Sequence, residues 1–182
     1  MPTSVGHSLL GYIWYLVFKK NRRLIKNWKT ILFYLFIANA PDLDLIPGIF
    51  IGHANRFHHG ITHTLGFSIF VALILCLVPK FRKKKNFIIF FLLYFTHVIA
   101  DFLCADTTSP FGVMLFWPFT KKYFISFYTI FLDIHKTTLR SLFDLHNFKA
   151  IIIEVLIFLP IIVVLKLKLF LKKQGREKED IS

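Results

Sequence analysis

Cysteine is scarce in this 182-residue sequence. Its two thiols, Cys76 and Cys104, lie within or at the end of apolar runs and form no CxxC pair. We therefore expect neither a disulfide framework nor a thiolate zinc site, since both need cysteines at short, repeated spacings. The N-terminus also lacks a basic stretch before its first apolar run, and no small-residue cleavage site follows that run. A removable signal peptide is not expected.

Acidic residues are also few. The sequence has 10 Asp and Glu and 23 Lys and Arg, which gives a formal net charge of +13. Such an excess is typical of nucleic-acid-binding proteins when the cations cluster on one exposed face. Here each basic cluster instead abuts an apolar run, which is the pattern of juxtamembrane loops. The clusters are residues 19–23, 80–85 and 166–173. We expect no nucleic-acid partner.

Apolar residues make up 55% of the sequence and the mean hydropathy is +0.60, beyond the usual range of a soluble domain. A spanning helix needs about 20 mainly apolar residues. Five stretches approach this length: Ser4–Phe18, Thr30–Phe50, Ile61–Val78, Phe87–Cys104 and Ala150–Leu171. The first is short enough to be either a full span or a half-inserted helix. The sequence predicts an all-α polytopic membrane helix bundle with about five spans.

This bundle is predicted to form one membrane-embedded domain over residues 1–173, followed by a polar, disordered tail over 174–182. Orientation follows from the basic clusters, because short loops rich in Lys and Arg stay cytoplasmic. Placing all three clusters inside puts the N-terminus outside. The predicted location is the bacterial or archaeal cytoplasmic (inner) membrane, with the lipid bilayer as partner. Residues 106–149 then lie outside or on the outer surface, where their aromatic and Lys side chains suit an interfacial segment.

Histidines and aspartates gather toward that same outer face. They begin the first predicted span, end the second, lead into the third and lie in the outer half of the fourth. The residues are His7, Asp42, Asp44, His58, His59, His63, His97 and Asp101. Nothing in the topology uses their positions, so their convergence independently predicts one extracytoplasmic site.

The pair His97 and Asp101 is the strongest metal signal. Residues four apart lie on one face of a helix, so both side chains can bind one ion. A charged side chain at the centre of a span costs about 2.5–3.5 kcal/mol on insertion scales, and a cation is the obvious partner to offset this. The alternative is a buried hydrogen bond between the two residues that joins helices.

Two further motifs supply ligand types that suit a metal. Three imidazoles fall within six residues in the segment 58–63, where Thr62 is predicted both to cap the third helix and to hold a ligand in place. Pro41 disfavours helix at the preceding residue and predicts a turn that carries Asp42 and Asp44. One carboxylate could ligate an ion while the other acts as a base or bridges a second ion. The alternative is a helix end with solvated acids.

The order of these motifs resembles the YdjM-like family of membrane-bound, metal-dependent hydrolases. The matching segments are His7, Pro41–Asp44, His58–Leu65, His97–Asp101 and Gly112–Pro118, over about the first two thirds of the chain. His59 stands where the family motif is expected to have Arg. The resemblance implies a multi-pass inner-membrane protein with a hydrolytic metal site. A more distant similarity is to zinc-dependent phospholipase C and single-strand nucleases, although no HxxxE or HxxxD follows Asp101 to complete a three-metal site.

The predicted function is a metal-dependent hydrolase, a phosphoesterase acting on a lipid or lipid-linked substrate at the outer leaflet. The predicted cofactor is a divalent metal, Zn²⁺. Its predicted ligands are His7, Asp42, Asp44, His58, His63, His97 and Asp101, and the catalytic base is predicted to be Asp42 or Asp44. One alternative is a divalent-cation transporter, which would need ligands distributed along a path rather than at one end. Another is a non-catalytic assembly or regulatory protein.

Overall fold

The computed structural model describes residues 1–18, 28–52, 56–107, 109–135 and 143–179. Across these ranges the chain forms no strand, only the isolated bridges Cys104–Phe131 and Val113–Phe124. The helices are α1 (Ser4–Phe18), α2 (Trp28–Asn39), the short α3 (Leu45–Phe50), α4 (Leu65–Leu77), α5 (Lys84–Phe102) and α6 (Leu145–Glu179). The prediction of an all-α helix bundle is confirmed.

Three stretches in the described part of the chain are long and apolar enough to cross a membrane, namely Trp28–Gly48, Lys84–Phe102 and Leu145–Gly175. The helices α1 and α4 are apolar but shorter. At about 1.5 Å of rise per residue, α4 is about 20 Å long, less than a hydrocarbon core of about 30 Å. The short helices pack against the longer ones, α1 on α2, α5 and α6, and α4 on α5.

Two helix boundaries at the candidate site follow from local chemistry. α2 ends at Asn39, and Pro41 stands at the start of a 3-10 turn over Ala40–Asp44, as the sequence predicts. α4 begins at Leu65 rather than at Ile61, because Thr64 is extended and its hydroxyl accepts the N–H of Phe67. Thr64 is therefore the cap of this helix, which corrects the prediction that Thr62 caps it.

The last helix is longer than predicted. α6 runs from Leu145 to Glu179 with Pro160 inside it. Residues 174–179, predicted to belong to a disordered tail, are helical, and 180–182 lie outside the described residues. The basic cluster 166–173 lies on α6, cluster 80–85 lies at the α4–α5 connection, and cluster 19–23 also falls outside the described residues.

Contacts along the helices fix their directions. α1 and α6 run parallel, because Gly6 meets Glu154 near their starts and Leu16 packs on Ile162 further along. α4 and α5 are consecutive and packed together, and His63 just before α4 contacts His97 and Asp101 near the end of α5. Accordingly α1, α4 and α6 begin, and α2 and α5 end, at one end of the bundle. We call this the site end.

A segment without helix, described over residues 103–107 and 109–135, covers the site end. Leu115 accepts the backbone N–H of Leu65 at 2.9 Å, and Met114 donates its N–H to the carbonyl of His59 at 3.1 Å. Gly112 has a φ of 85°, and a Cβ there would lie 2.2 Å from the carbonyl oxygen of Phe124. Only glycine fits this close approach. The segment exposes several aromatic side chains to the surroundings, with Phe119, Phe127 and Tyr128 the most exposed.

Candidate metal centre

Four side chains bring one ligating atom each to a common point at the site end. Asp42 comes from the 3-10 turn after α2, His63 from the turn before α4, and His97 and Asp101 from α5. Oδ2 of Asp101 lies 3.0 Å from Nε2 of His97 and 3.2 Å from Nε2 of His63. Oδ1 of Asp42 lies 3.4 Å and 3.5 Å from the same two nitrogens. The two Nε2 atoms are 3.3 Å apart.

These separations match the ligand shell of a small divalent cation. Bonds of about 2.0–2.1 Å in a tetrahedron place neighbouring ligand atoms about 3.3–3.4 Å apart. The observed distances of 3.0–3.5 Å span that value. All four carboxylate oxygens of Asp42 and Asp101 are buried without a hydrogen-bond partner among the described residues. Because buried carboxylates without hydrogen-bond donors are costly, the donor set fits Zn²⁺ or a similar ion.

The opposite ring nitrogens of both histidines are held by acceptors. Nδ1 of His97 donates to the carbonyl of Ala38 at 2.7 Å, and Nδ1 of His63 lies 3.1 Å from Oδ2 of Asp44. A proton on Nδ1 leaves Nε2 as the nitrogen that can bind a cation. A cation between the two Nε2 atoms would be ligated by both rings. Such carboxylate and carbonyl partners orient metal-binding histidines in proteins generally.

Asp42 and Asp44 occupy different positions relative to His63. A 3-10 turn has three residues per turn, so side chains two positions apart diverge. Asp42 faces Nε2 of His63, whereas Asp44 lies on the Nδ1 side and also faces Nδ1 of His58 at 2.9 Å. Asp44 also accepts the hydroxyl proton of Thr62 at 2.6 Å. The structure thus places Asp44 behind His63, outside the group of four ligand atoms.

Burial and the carboxylates act on His63 in opposite senses. Burial lowers the pKa of its imidazole, but contacts with Asp101, Asp42 and Asp44 outweigh burial and hold the pKa well above its ordinary value. Three acids around one ring create a strongly cation-attracting point. In the ion-free protein a proton meets this demand, and a metal ion competes with that proton.

His58 and His59 form a second imidazole group beside His63. Ligand atoms of the three rings lie within 4.8 Å of one another. Nε2 of His58 lies 2.7 Å from Sδ of Met1. His59 has a left-handed φ of 61°, and its Nδ1 lies 3.6 Å from Oδ2 of Asp106. Burial lowers the pKa of His59, and the contact with Asp106 only partly opposes this. At position 59, where the family motif suggests Arg, this chain therefore has a histidine that contacts the carboxylate of Asp106.

His7 completes the group and differs from the others. Its side chain is fully buried on α1 and stacks on His97 with ring centroids 3.6 Å apart. Nε2 lies 3.4 Å from Oδ1 of Asp101, and neither ring nitrogen has a hydrogen-bond partner among the described residues. All eight sequence-predicted histidines and aspartates thus lie at the site end, but only four of them share one point.

A family model for the YdjM inner membrane protein matches residues 1–174, which include every residue of this site. The chain belongs to the YdjM inner membrane protein family. Curated proteins and solved structures contain no match to it. The YdjM match agrees with the resemblance seen in the motifs and identifies a membrane protein, while naming no reaction.

Two acidic residues and one backbone carbonyl at this site are not among the residues predicted from the sequence. Glu154 on α6 is buried and accepts the N–H of Thr3 at 2.6 Å and the Thr3 hydroxyl. Its signal is available, because it is an acid within a predicted span. Asp106, which accepts the N–H of Gly112 at 2.6 Å, carries no such signal. The carbonyl of Ala38 could not be predicted from the sequence either, because every residue type has a backbone carbonyl.

Proposed function

We propose that this member of the YdjM family is a membrane-embedded metal-dependent hydrolase whose ion is held by Asp42, His63, His97 and Asp101. The observation that supports this most directly is the pair of Nε2 atoms 3.3 Å apart beside two carboxylates without hydrogen-bond partners. Ionisable residues within membrane spans are rare, and they mark functional sites far more often than chance. An ion satisfies all of these atoms at once.

The chain's own residues supply the remaining functions of a hydrolytic site. A bound divalent ion polarises a phosphoryl or carbonyl oxygen and lowers the pKa of water. His58 holds a proton on Nδ1 against Asp44, and its Nε2 would act as the proton acceptor where water displaces Sδ of Met1, which lies 2.7 Å from that nitrogen. In hydrolysis the water oxygen joins phosphorus, the ester P–O bond breaks, and the released alkoxide is protonated. Asp42 is then a ligand and Asp44 a positioning residue.

The proposed substrate is a phosphoester of a lipid or lipid-linked molecule at the outer leaflet. The segment over the site end exposes Phe119, Phe127 and Tyr128 together with Lys121 and Lys122. Exposed aromatics with cationic neighbours favour the headgroup region of a bilayer and its phosphates. The Lys-rich clusters 80–85 and 166–173 lie toward the opposite end and favour the cytoplasm, which supports an outward-facing site.

A second candidate function is a structural ion that locks α2, α4 and α5 together. Four protein ligands close a tetrahedral shell, and structural zinc sites are closed in this way, whereas catalytic sites keep a position open. This candidate corresponds to a non-catalytic assembly or regulatory protein. A transporter is less favoured, because the ligands lie at one end of the bundle rather than along a path.

Hydrolysis of phosphoester lipids by the detergent-purified protein tests the proposal. We expect activity that chelator abolishes and Zn²⁺ restores, and that is lost in His97→Ala. The control is His135→Ala, which removes an imidazole that is 49% exposed and pairs with Asp144 rather than with any of the four ligands. Chelator that lowers the melting temperature without any hydrolysis across the panel would favour the structural ion.

The orientation has its own test. Tyr128→Cys places a thiol on an 84% exposed position of the segment over the site end, and Lys83→Cys places one at the opposite end. A membrane-impermeant maleimide applied to intact cells should label the first and spare the second. The reverse pattern would put the site in the cytoplasm.

A further inference from the structure

We infer that a second divalent cation binds beside the first, with His7 as a ligand and Asp101 as the carboxylate bridging the two ions. This inference rests on the proposed metal centre and extends it to two ions. Its basis is the set of buried polar atoms that the first ion does not use.

The two oxygens of Asp101 face different partners. Oδ2 faces His63 and His97 at 3.2 Å and 3.0 Å, whereas Oδ1 faces Nε2 of His7 at 3.4 Å. Neither oxygen has a hydrogen-bond partner among the described residues. A carboxylate that presents each oxygen to a separate imidazole set has the arrangement of a bridging ligand. One ion at the first centre leaves Oδ1 unsatisfied.

His7 itself requires a partner. Both of its ring nitrogens are buried without a hydrogen bond to any described residue, and its side chain has no solvent exposure. Stacking on His97 packs a face of the ring but provides no hydrogen bond to either ring nitrogen. An unpaired buried donor or acceptor is avoided in native proteins, and within a membrane no water compensates for it. Oδ2 of Asp42 is a third buried atom without a hydrogen bond among the described residues.

The position of His7 is fixed from outside its own helix. The Thr3 hydroxyl accepts the N–H of Gly6 at 3.2 Å, and the N–H of His7 donates to the Thr3 carbonyl at 3.1 Å. Glu154 on α6 in turn accepts the N–H of Thr3. The start of α1 is therefore held against α6 by a buried carboxylate. Such support from a neighbouring element is typical of residues that must present a ligand atom accurately.

The donor set identifies the class of ion. One imidazole and one or two carboxylate oxygens suit Zn²⁺ or Mn²⁺, and they are too few to close the shell. The second ion would therefore keep positions for water or substrate, which the four-ligand first ion lacks. Two ions that share a carboxylate are a common arrangement for phosphoester hydrolysis. The second site thus supplies the open coordination that a hydrolytic function needs.

Zinc stoichiometry tests the inference on full-length protein in detergent, after chelation and reloading with Zn²⁺ alone. We expect two ions per chain in the unaltered protein and in His135→Ala, and one in His7→Phe. Phenylalanine retains a ring to stack on His97 while removing both nitrogens, so the variant is expected to keep its helix packing. Reloading with Mn²⁺ should give a spin-coupled spectrum that is absent from His7→Phe.

The outcomes separate the two proposals. One ion per chain in both the unaltered protein and His7→Phe would overturn the second site and leave the first centre standing. No ion in the unaltered protein would overturn both. Two ions in His7→Phe, or loss of both ions from a variant with an unchanged melting profile, would overturn the role given to His7.

Discussion

A methyl group placed at Gly6 would lie 2.7 Å from Oε2 of Glu154. The helices α1 and α6 therefore meet at a point where only glycine leaves room for the buried carboxylate. Because His7 follows Gly6, this contact connects the packing of two helices to the position of one candidate ligand.

Gly6→Ala should displace Glu154 and weaken the attachment of Thr3. Overpacking of this kind costs about 1–3 kcal/mol, and we expect a lower melting temperature together with loss of one zinc ion per chain. Gly175→Ala is the control, because nothing lies within 4 Å of the added Cβ. Thermal unfolding and metal analysis measure the two effects. Full zinc occupancy in Gly6→Ala would show that the α1–α6 contact does not position His7.

Removal of the ion should destabilise the protein. A ligand that binds only the folded state adds about 2.7 kcal/mol of stability at a free concentration 100 times its dissociation constant. Chelator should therefore lower the melting temperature of the unaltered protein and leave that of Asp101→Ala, which has lost the central carboxylate, unchanged. A melting temperature insensitive to chelator and to added Zn²⁺ would argue against ion binding at the site end.

Asp44→Asn should weaken zinc binding without changing the number of ions. The asparagine still fills the space behind His63 and His58, but it removes the charge that orients both rings. Loss of such a supporting carboxylate lowers metal affinity about 10–100-fold. Competition with a chromophoric chelator gives the dissociation constant. If Asp44 were itself a ligand, the stoichiometry would fall as well.

Zinc affinity should rise with pH. The pKa of His63 in the ion-free protein is held well above its ordinary value, so near neutral pH the ion must displace a proton from this ring. One proton released per ion gives about a tenfold gain in affinity per pH unit below the folded-state pKa. The protonated ring stabilises the ion-free fold at low pH, and this contribution is lost as the pH rises through the folded-state pKa. Titrations in buffered detergent between about pH 6 and pH 8 would refute this if the affinity were flat.

Local sequence signals predict much of the site because its ligands lie in short motifs with strict geometry. The spacing of His97 and Asp101 fixes a shared helix face, and Pro41 fixes the end of α2. Apolar runs reveal all five longer helices, although Thr64 rather than Ile61 marks the start of α4 because capping by a side chain overrides hydropathy.

The division of roles within the site is not visible in the sequence. Asp42 and Asp44 are chemically alike, and only the pitch of the 3-10 turn sends one to each side of His63. The acceptor for His97 is a backbone carbonyl, which any residue at position 38 would provide. Contacts between distant elements, such as Thr3 with Glu154, depend on helix packing that local patterns do not encode.

The parallel pairing of α1 with α6 also has a consequence for biogenesis. Since α1 precedes α6 in the chain, α1 receives its buried carboxylate partner only after α6 has been inserted, whereas the Asp42, His63, His97 and Asp101 group is complete once α5 has emerged. A nascent chain that stops before α6 therefore contains the four-ligand group but not the brace that presents His7. The four-ligand group would therefore form first. His7 would be held in position only in a second stage, after α6 has been synthesised and inserted.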